Sequence, residues 1–498
     1  GYGKAQWILL IVSGLLTITS VAAQQAMGIV VLASHCEFHT TQAEKGIMMA
    51  ACVMGKRAPT TICIYSTLFM KIRLDLIVIG IFLSTYIWGY VSDAIGRRTV
   101  LLYGIFVCIG LQFILMFVTS VWLFNIINLI AGISLGGVSG GLYPYLSEFN
   151  IPRHRAVTIN YSTMFVSLTA IYVPALSWLI LSSDWSINVF GDFHFRPWRL
   201  IMLANLLPGL IGGLILINYP ESPKLLLSLN KESQAMEAVD WISKFNRGWP
   251  VTRILNRNEF TLKPEIQMDE NILANSKGFN FIANIARATR PLFHKPHGCN
   301  FILCIVAVFG MFFSSNGMQL WFPEIVNRTS NAGSNSSMTV CEILDNSYKQ
   351  SEPNVTITTT MVCTDTISNK TYIDNMIVGA AFLIGFSIQG TLLNPFGRKN
   401  VLMAGLTLSI LSGILLHILT NTTAVLILFC LYILLPGLTI SIMLGAIVDL
   451  VPTHLRGKAV SLCMSMGRFG IIAATNLIGV MLKPYCNSTF ALLTFILI

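Results

Sequence analysis

The chain has 498 residues, of which 54% are hydrophobic and 11% charged, and its mean hydropathy is +0.69. Soluble domains are about a quarter charged, so the composition excludes an ordinary soluble enzyme or binding module of this size. The net charge of +10 does not point to nucleic acid, because the basic residues sit in short loops between apolar runs.

Those runs are about 20 residues long, the length that crosses a bilayer as helix. Eleven full spans are predicted, at 7–32, 46–91, 100–120, 121–143, 157–181, 198–218, 301–322, 372–393, 401–419, 424–448 and 460–482. A twelfth starts near Ser488 and is half complete at Ile498; with Gly1 at the start, both ends read as truncated. Lys and Arg concentrate in alternate segments, on the side of the two termini, so the termini are expected in the cytoplasm. The second span is interrupted by Lys56, Arg57, Pro59, Lys71, Arg73 and Asp75, which are costly inside a bilayer. Removing 56–80 restores a clean helix, and codons for Gly55-Lys56-Arg57 and Ile79-Gly80 can hold splice signals. The segment therefore reads as a translated intron. The other reading is a real insertion, with 76–90 serving as the second span.

Two short motifs occur twice. Gly89-Tyr90-Val91-Ser92-Asp93-Ala94-Ile95-Gly96-Arg97-Arg98 is matched by Gly390-Thr391-Leu392-Leu393-Asn394-Pro395-Phe396-Gly397-Arg398-Lys399, every position offset by 301. At the same offset, Glu148 and Arg155 are matched by Asp449 and Arg456, with Pro152 and Pro452 between them. Self-similarity at one fixed spacing marks a duplicated architecture. The glycines suit tight turns and the cations suit an inside loop. The fourth span carries Asn128-x-x-x-Gly132-x-x-x-Gly136, small residues that permit close helix contact. The segment 221–297 forms a long loop, in which 233–245 reads as an amphipathic surface helix. Its recurring Lys and Arg suit lipid headgroup contact or a merely solvated, topology-setting loop.

These paired motifs resemble the major facilitator superfamily of secondary transporters, along essentially the whole chain. Pro220-Glu221-Ser222-Pro223-Lys224 is similar to the Pro-Glu-Ser-Pro-Arg signature of sugar porters and organic-ion transporters, with lysine for arginine. That stretch, Trp321-Phe322-Pro323-Glu324 and the opening Gly1-Tyr2-Gly3-Lys4-Ala5-Gln6-Trp7 most resemble the synaptic vesicle glycoprotein 2 branch. The resemblance implies an all-α polytopic membrane protein of two six-helix halves, 1–220 and 298–498, joined by the cytoplasmic loop 221–297. It implies rocking of one half against the other around a central site. It further implies that Gly89, Asp93, Gly96, Arg97, Arg98, Glu148 and Arg155, with Gly390, Asn394, Gly397, Arg398, Lys399, Asp449 and Arg456, form charged locks on the cytoplasmic face. The superfamily's helix-four pattern opens with arginine. This chain has Asn128 there, which weakens any proton-coupling role at that position.

Asn327, Asn335, Asn354 and Asn369 are glycan-acceptor sequons in the predicted lumenal loop 323–371, and Asn421 and Asn487 are two more in outside loops. Cys341 and Cys363 fall in the same loop, where a disulfide is permitted; they are read either as a pair or as two free thiols.

Ionisable residues inside spans default to functional hypotheses. Outside 56–80 the exception is Arg468, read as an anion site in a central cavity or as a structural arginine paired with carbonyls. Gln24, Gln25, Asn128, Asn316, Gln319, Gln389 and Asn476 are polar candidates for the cavity, each with a helix–helix hydrogen bond as the other reading. No mid-membrane acid suits cation or proton symport. There is no phosphate loop, metal-spaced Cys/His set or nucleophile elbow, so no enzyme, cofactor or metal is expected. The expected function is secondary transport of a small organic solute, anion or neutral favoured. The alternative is a non-transporting vesicle-type glycoprotein in trafficking or regulated secretion. Expected partners are the bilayer and the solute, with vesicle-trafficking proteins under the alternative and no nucleic acid. The chain is expected to be a monomer, in the plasma membrane or a secretory or synaptic-type vesicle.

Overall fold

The computed structural model describes residues 3–38, 42–54, 88, 91–92, 95–183, 185, 187–190, 193–254, 290–294, 298–331, 339–350, 367–451 and 456–497. The segment 56–80 and the residues Gly89, Asp93, Asn335, Asn354 and Cys363 lie outside them. Among the described residues, nine candidate membrane spans are long and apolar enough to cross a bilayer.

The first half contains α1 (Lys4–Ala33), the short α2 (His35–Phe38), α3 (Gln42–Met54), α4 (Arg97–Leu115), α5 (Val121–Glu148) and α6 (Pro152–Leu181). The predicted span 198–218 is two helices, α7 (Pro197–Ala204) and α8 (Leu207–Leu216). Pro208 explains the break, since it has no N–H to give the Ala204 carbonyl. A two-stranded antiparallel hairpin, β1 (Ile187–Phe190) and β2 (Phe193–Phe195), lies between α6 and α7; hydrophobic periodicity did not suggest it. Three helices follow the half: α9 (Pro223–Ser228), α10 (Glu232–Arg247) and α11 (Val251–Ile254). Thus α10 is the amphipathic helix expected from the sequence. The second half has α12 (Gly298–Asn331), α13 (Val340–Gln350), α14 (Asn369–Phe396), α15 (Arg398–Leu415), α16 (Thr422–Leu450), α17 (Arg456–Met481) and α18 (Cys486–Phe495).

The duplicated motif recurs in the backbone. Gly96 begins α4 with φ 127°, and Gly397 separates α14 from α15 with φ 77°. Both lie in a region that L side chains rarely adopt, so each copy turns one span into the next through a glycine. The end of the molecule carrying these turns is called here the motif face.

Among the described residues, three helix pairs make the closest packing between the halves: α1 with α12, α3 with α17, and α6 with α14. Each pair closes on a glycine. A methyl added at Gly28 would stand 2.7 Å from the Leu320 carbonyl oxygen; at Gly46, 2.9 Å from that of Thr475; at Gly379, 2.6 Å from the Ala170 carbonyl carbon. By their places along the helices, all three lie toward the face opposite the motifs. Large apolar side chains such as Ile11, Leu214, Ile302, Val306 and Ile384 stay exposed around the perimeter, as a lipid-facing belt requires.

The pairing Cys341–Cys363 is not what forms. Cys341 is bonded to Cys486, with their Cα atoms 5.6 Å apart. The cause is the docking of α13. Its Val340 and Leu344 are buried in the main apolar cluster, which also receives Cys486, so Cys341 faces the start of α18. At the start of α13 the Thr339 N–H donates to Glu342 Oε2 at 2.7 Å and holds that exposed carboxyl below its ordinary pKa.

Candidate functional site between the halves

On the face opposite the motifs, Lys45 of α3 meets Glu324 of α12 at 3.2 Å, each side chain 1% exposed. Arg328, one turn further along α12, holds the same Glu324 oxygen at 2.8 Å. Trp321, one turn before Glu324, donates its indole N–H to the Thr475 carbonyl of α17 at 3.1 Å. Trp178 of α6 donates to Asn369 of α14, also at 3.1 Å. These contacts and the three glycine approaches seal the halves together at this end. Sequence reading singled out Trp321–Glu324 as a signature but missed Lys45. Lys45 follows Glu44 at the start of α3, and charges at a helix mouth do not by themselves indicate a partner elsewhere in the chain.

The same face holds a second buried cation. Arg199 of α7 pairs with Glu37 of α2 and donates to the Val118 carbonyl at 3.1 Å. Trp198 donates to the other Glu37 oxygen at 3.0 Å, within a ring cluster of Phe38, Phe124 and Trp198. This set ties α2 to the start of α7 inside the first half.

Deeper in, α17 lies close along α12 because Gly467 and Gly470 meet Phe312 and the Phe309 carbonyl, where a methyl would stand 2.4 and 2.6 Å away. Arg468, between those glycines, is half-buried and donates from Nη2 to Ser139 Oγ of α5 at 2.6 Å. It sits twelve residues into α17, about 18 Å along the axis at about 1.5 Å per residue. A guanidinium at mid-span therefore reaches from one half to the other.

The remaining candidates divide. Gln24, Gln25, Asn316, Gln319 and Asn476 are half-buried, the first four on the contacting helices α1 and α12; Asn476 donates to the Ile472 carbonyl of its own helix at 2.8 Å. Asn128 and Gln389 are fully buried and do not face a cavity between the halves. Asn128 accepts from Gln112 at 3.2 Å and contacts Met27 sulfur at 3.5 Å. Gln389 donates to the Leu438 carbonyl at 3.0 Å and to Ser441 at 3.2 Å. An amide without water must find a partner on a neighbouring helix, and these two do. Close to Asn128, a cavity of about 10 Å3 inside the first half is lined by Thr19, Met27, Gln112 and Asn205.

On the motif face, Glu148 at the end of α5 pairs with Arg97 and accepts from Ser222. Glu221 accepts from the Arg98 backbone N–H at 2.9 Å. Motif, helix-five acid and the 220–224 stretch thus form one network, and these contacts lie within the first half. Of the other expected lock residues, Arg398 and Lys399 are exposed; nothing is described of the side chains of Arg155, Asn394, Asp449 and Arg456.

Among the sequons, Asn369, Asn421 and Asn487 are exposed. Asn327 differs from these three in its surroundings. It is buried on α12, and its Oδ1 accepts from the Ser368 N–H at 2.9 Å and from Thr371 at 3.3 Å, surroundings that do not suit a glycan.

The family model described as Major Facilitator Superfamily matches residues 14–344. The chain belongs to the major facilitator superfamily. That membership places it among multi-pass transport proteins rather than enzymes. It is similar to human synaptic vesicle glycoprotein 2B, 25% identical over 66% of this chain and 46% of that protein. It is also 25% identical to rat synaptic vesicle glycoprotein 2A over 66% of this chain and 42% of that protein. The chain spans under half the length of these relatives. In fold it is similar to the xylose transporter XylE from E. coli: one inward-open structure has a TM-score of 0.65 at 14% identity, covering 99% of this chain and 94% of that one. A partially occluded inward-open structure has a TM-score of 0.64 at 14% identity, covering 99% and 96%.

Proposed function

We propose that the chain is a secondary carrier of a small organic solute, with an organic anion or a neutral solute favoured, working by alternating access between its two halves. Arg468 carries this reading. It is a cation at mid-span, held between the halves by a neutral serine hydroxyl that an anionic group can replace. Gln24, Gln25, Asn316 and Gln319 supply neutral hydrogen-bonding surface on α1 and α12 at the same interface. In this scheme the motif face is cytoplasmic, and Lys45–Glu324 is the gate on the other side. Asp93, Arg155, Asn394, Asp449 and Arg456 complete the cytoplasmic locks when that face closes.

The test is uptake of labelled organic anions, cations and sugars into liposomes, with Arg468→Ala beside the wild type. Anion uptake that falls at least tenfold in Arg468→Ala supports the anion site. Uptake that survives the substitution keeps the carrier and removes the site.

A second reading is a vesicle-type glycoprotein acting in trafficking or regulated secretion. The similarity to synaptic vesicle glycoproteins 2A and 2B favours it. A folded, glycosylated protein that takes up none of the three solute classes would decide for it.

A further inference from the structure

We infer that the end of α10, with α11 and the first turn of α1, is a binding site for the anionic phospholipid headgroups of the leaflet on the motif face. This inference is independent of what the protein carries.

Geometry places the site at headgroup level. Asn246 of α10 accepts from the Ala5 N–H at 2.8 Å and donates to Gln6 at 3.0 Å. Trp241 packs on Tyr219, just past α8, with ring centroids 4.9 Å apart. The helix is thus fastened where two spans enter the membrane, beside the lipid-facing Ile11, Leu214 and Ile217. The turn after α10 is fixed as well. Gly248 ends the helix with φ 80°, Asp240 accepts from the Val251 N–H at 2.8 Å, and Ser243 donates to the Trp249 carbonyl at 2.8 Å.

Charge and ring chemistry select the occupant. Lys4, Lys244, Arg247 and Arg253 are all exposed here. The exposed acids of α10 are Glu232 and Glu237, and Glu237 is two turns back from Lys244, about 10 Å along the axis. Trp7, Phe245 and Trp249 are 56%, 44% and 52% exposed. The Arg253 guanidinium lies 4.0 Å over the Trp249 ring. Exposed aromatic rings among cations, continuous with a lipid-facing wall, match an interfacial anchor. A site for a free soluble anion needs no exposed rings.

The test uses the full chain in nanodiscs. Tryptophan quenching by brominated phosphatidylserine is compared with quenching by brominated phosphatidylcholine at equal mole fraction, and Trp249→Phe isolates the Trp249 contribution. Stronger quenching of Trp249 by the serine lipid is expected. The combined change Lys244→Gln/Arg247→Gln/Arg253→Gln is expected to remove that preference, at about fivefold per basic residue. These are exposed positions, and a monodisperse elution profile checks the fold; Lys244→Gln/Arg247→Gln alone should give a partial loss. Equal quenching by the two lipids overturns the inference, as does an unchanged preference in the triple variant. Displacement of the serine lipid by free glycerophosphoserine at headgroup-equivalent concentration also overturns it, by showing a site for the soluble anion.

Discussion

Lys45 and Glu324 stand 3.2 Å apart with both side chains out of solvent, and they belong to different halves of the molecule. Glu324 is also held by Arg328, so its carboxylate faces two cations. Removing that shared carboxylate leaves the buried Lys45 ammonium uncompensated and costs about 3–5 kcal/mol, whereas removing Lys45 leaves Glu324 still held by Arg328. Glu324→Leu is therefore expected to lower the melting temperature in detergent by more than Lys45→Met, and Lys45→Met/Glu324→Leu to recover part of the Glu324→Leu loss. Because the pair bridges the halves, Lys45→Met should also raise cysteine labelling from that face. A variant with unchanged melting and unchanged labelling would show that the pair holds nothing.

The seam beside this pair depends on Gly46. A side chain there meets the Thr475 carbonyl oxygen at 2.9 Å and Gly479 at 3.5 Å, both backbone, so neither can move aside cheaply. Gly46→Leu is expected to hold α3 and α17 apart and increase labelling from the opposite face. Gly110→Leu, where nothing lies within 4 Å, serves as the control. Equal labelling in the two variants would place the seam elsewhere.

The two motif glycines are expected to differ in cost. Both adopt a backbone that disfavours any side chain, at about 1–3 kcal/mol. At Gly96 an added methyl also meets Glu221 Oε2 at 2.5 Å, whereas at Gly397 nothing lies within 4 Å. Gly96→Ala should therefore destabilise more than Gly397→Ala in a thermal shift measurement. It should also weaken the Arg98–Glu221 contact, so that Glu221→Ala on top of Gly96→Ala adds little. Full additivity of the two changes would argue against coupling.

The disulfide gives a simple assay. A protease site placed in 351–366 cuts the chain between Cys341 and Cys486, which are 145 residues apart. The fragments should stay together without reductant and separate with it. Cys341→Ser and Cys486→Ser should each abolish the link, and Cys363→Ser should leave it intact.

Glycan occupancy should follow exposure. Asn369→Gln, Asn421→Gln and Asn487→Gln remove acceptors at exposed positions, and each is expected to lose one glycan on a gel before enzymatic deglycosylation. Asn327→Gln should change no glycan but should destabilise, because Ser368 and Thr371 lose their acceptor. A glycan lost in Asn327→Gln would contradict its burial.

Chain-local information determined nine of the eleven predicted spans, the duplicated turns and the family; 46–91 lies largely outside the described residues and 401–419 is not among the nine. A span must be apolar for about 20 residues, and a turn at Gly96 or Gly397 needs a residue without a side chain; both demands are written into consecutive positions. The amphipathic α10 was legible for the same reason, through the spacing of Ala235, Val239 and Ile242. What the sequence left open is what depends on which helices meet. Cys341 could pair with any outside thiol until α13 docked it against α18. Asn327 reads as a glycan acceptor by its neighbours in sequence, and the fold buries it beside Ser368 and Thr371. Asn128 and Arg468 are both polar residues in apolar helices. Only packing separates them, turning Asn128 onto Gln112 within one half and Arg468 toward Ser139 of the other. Lys45 needed its partner most of all. A lysine at a helix mouth carries no signal by itself, and only tertiary contact, by removing water from it, makes Glu324 necessary.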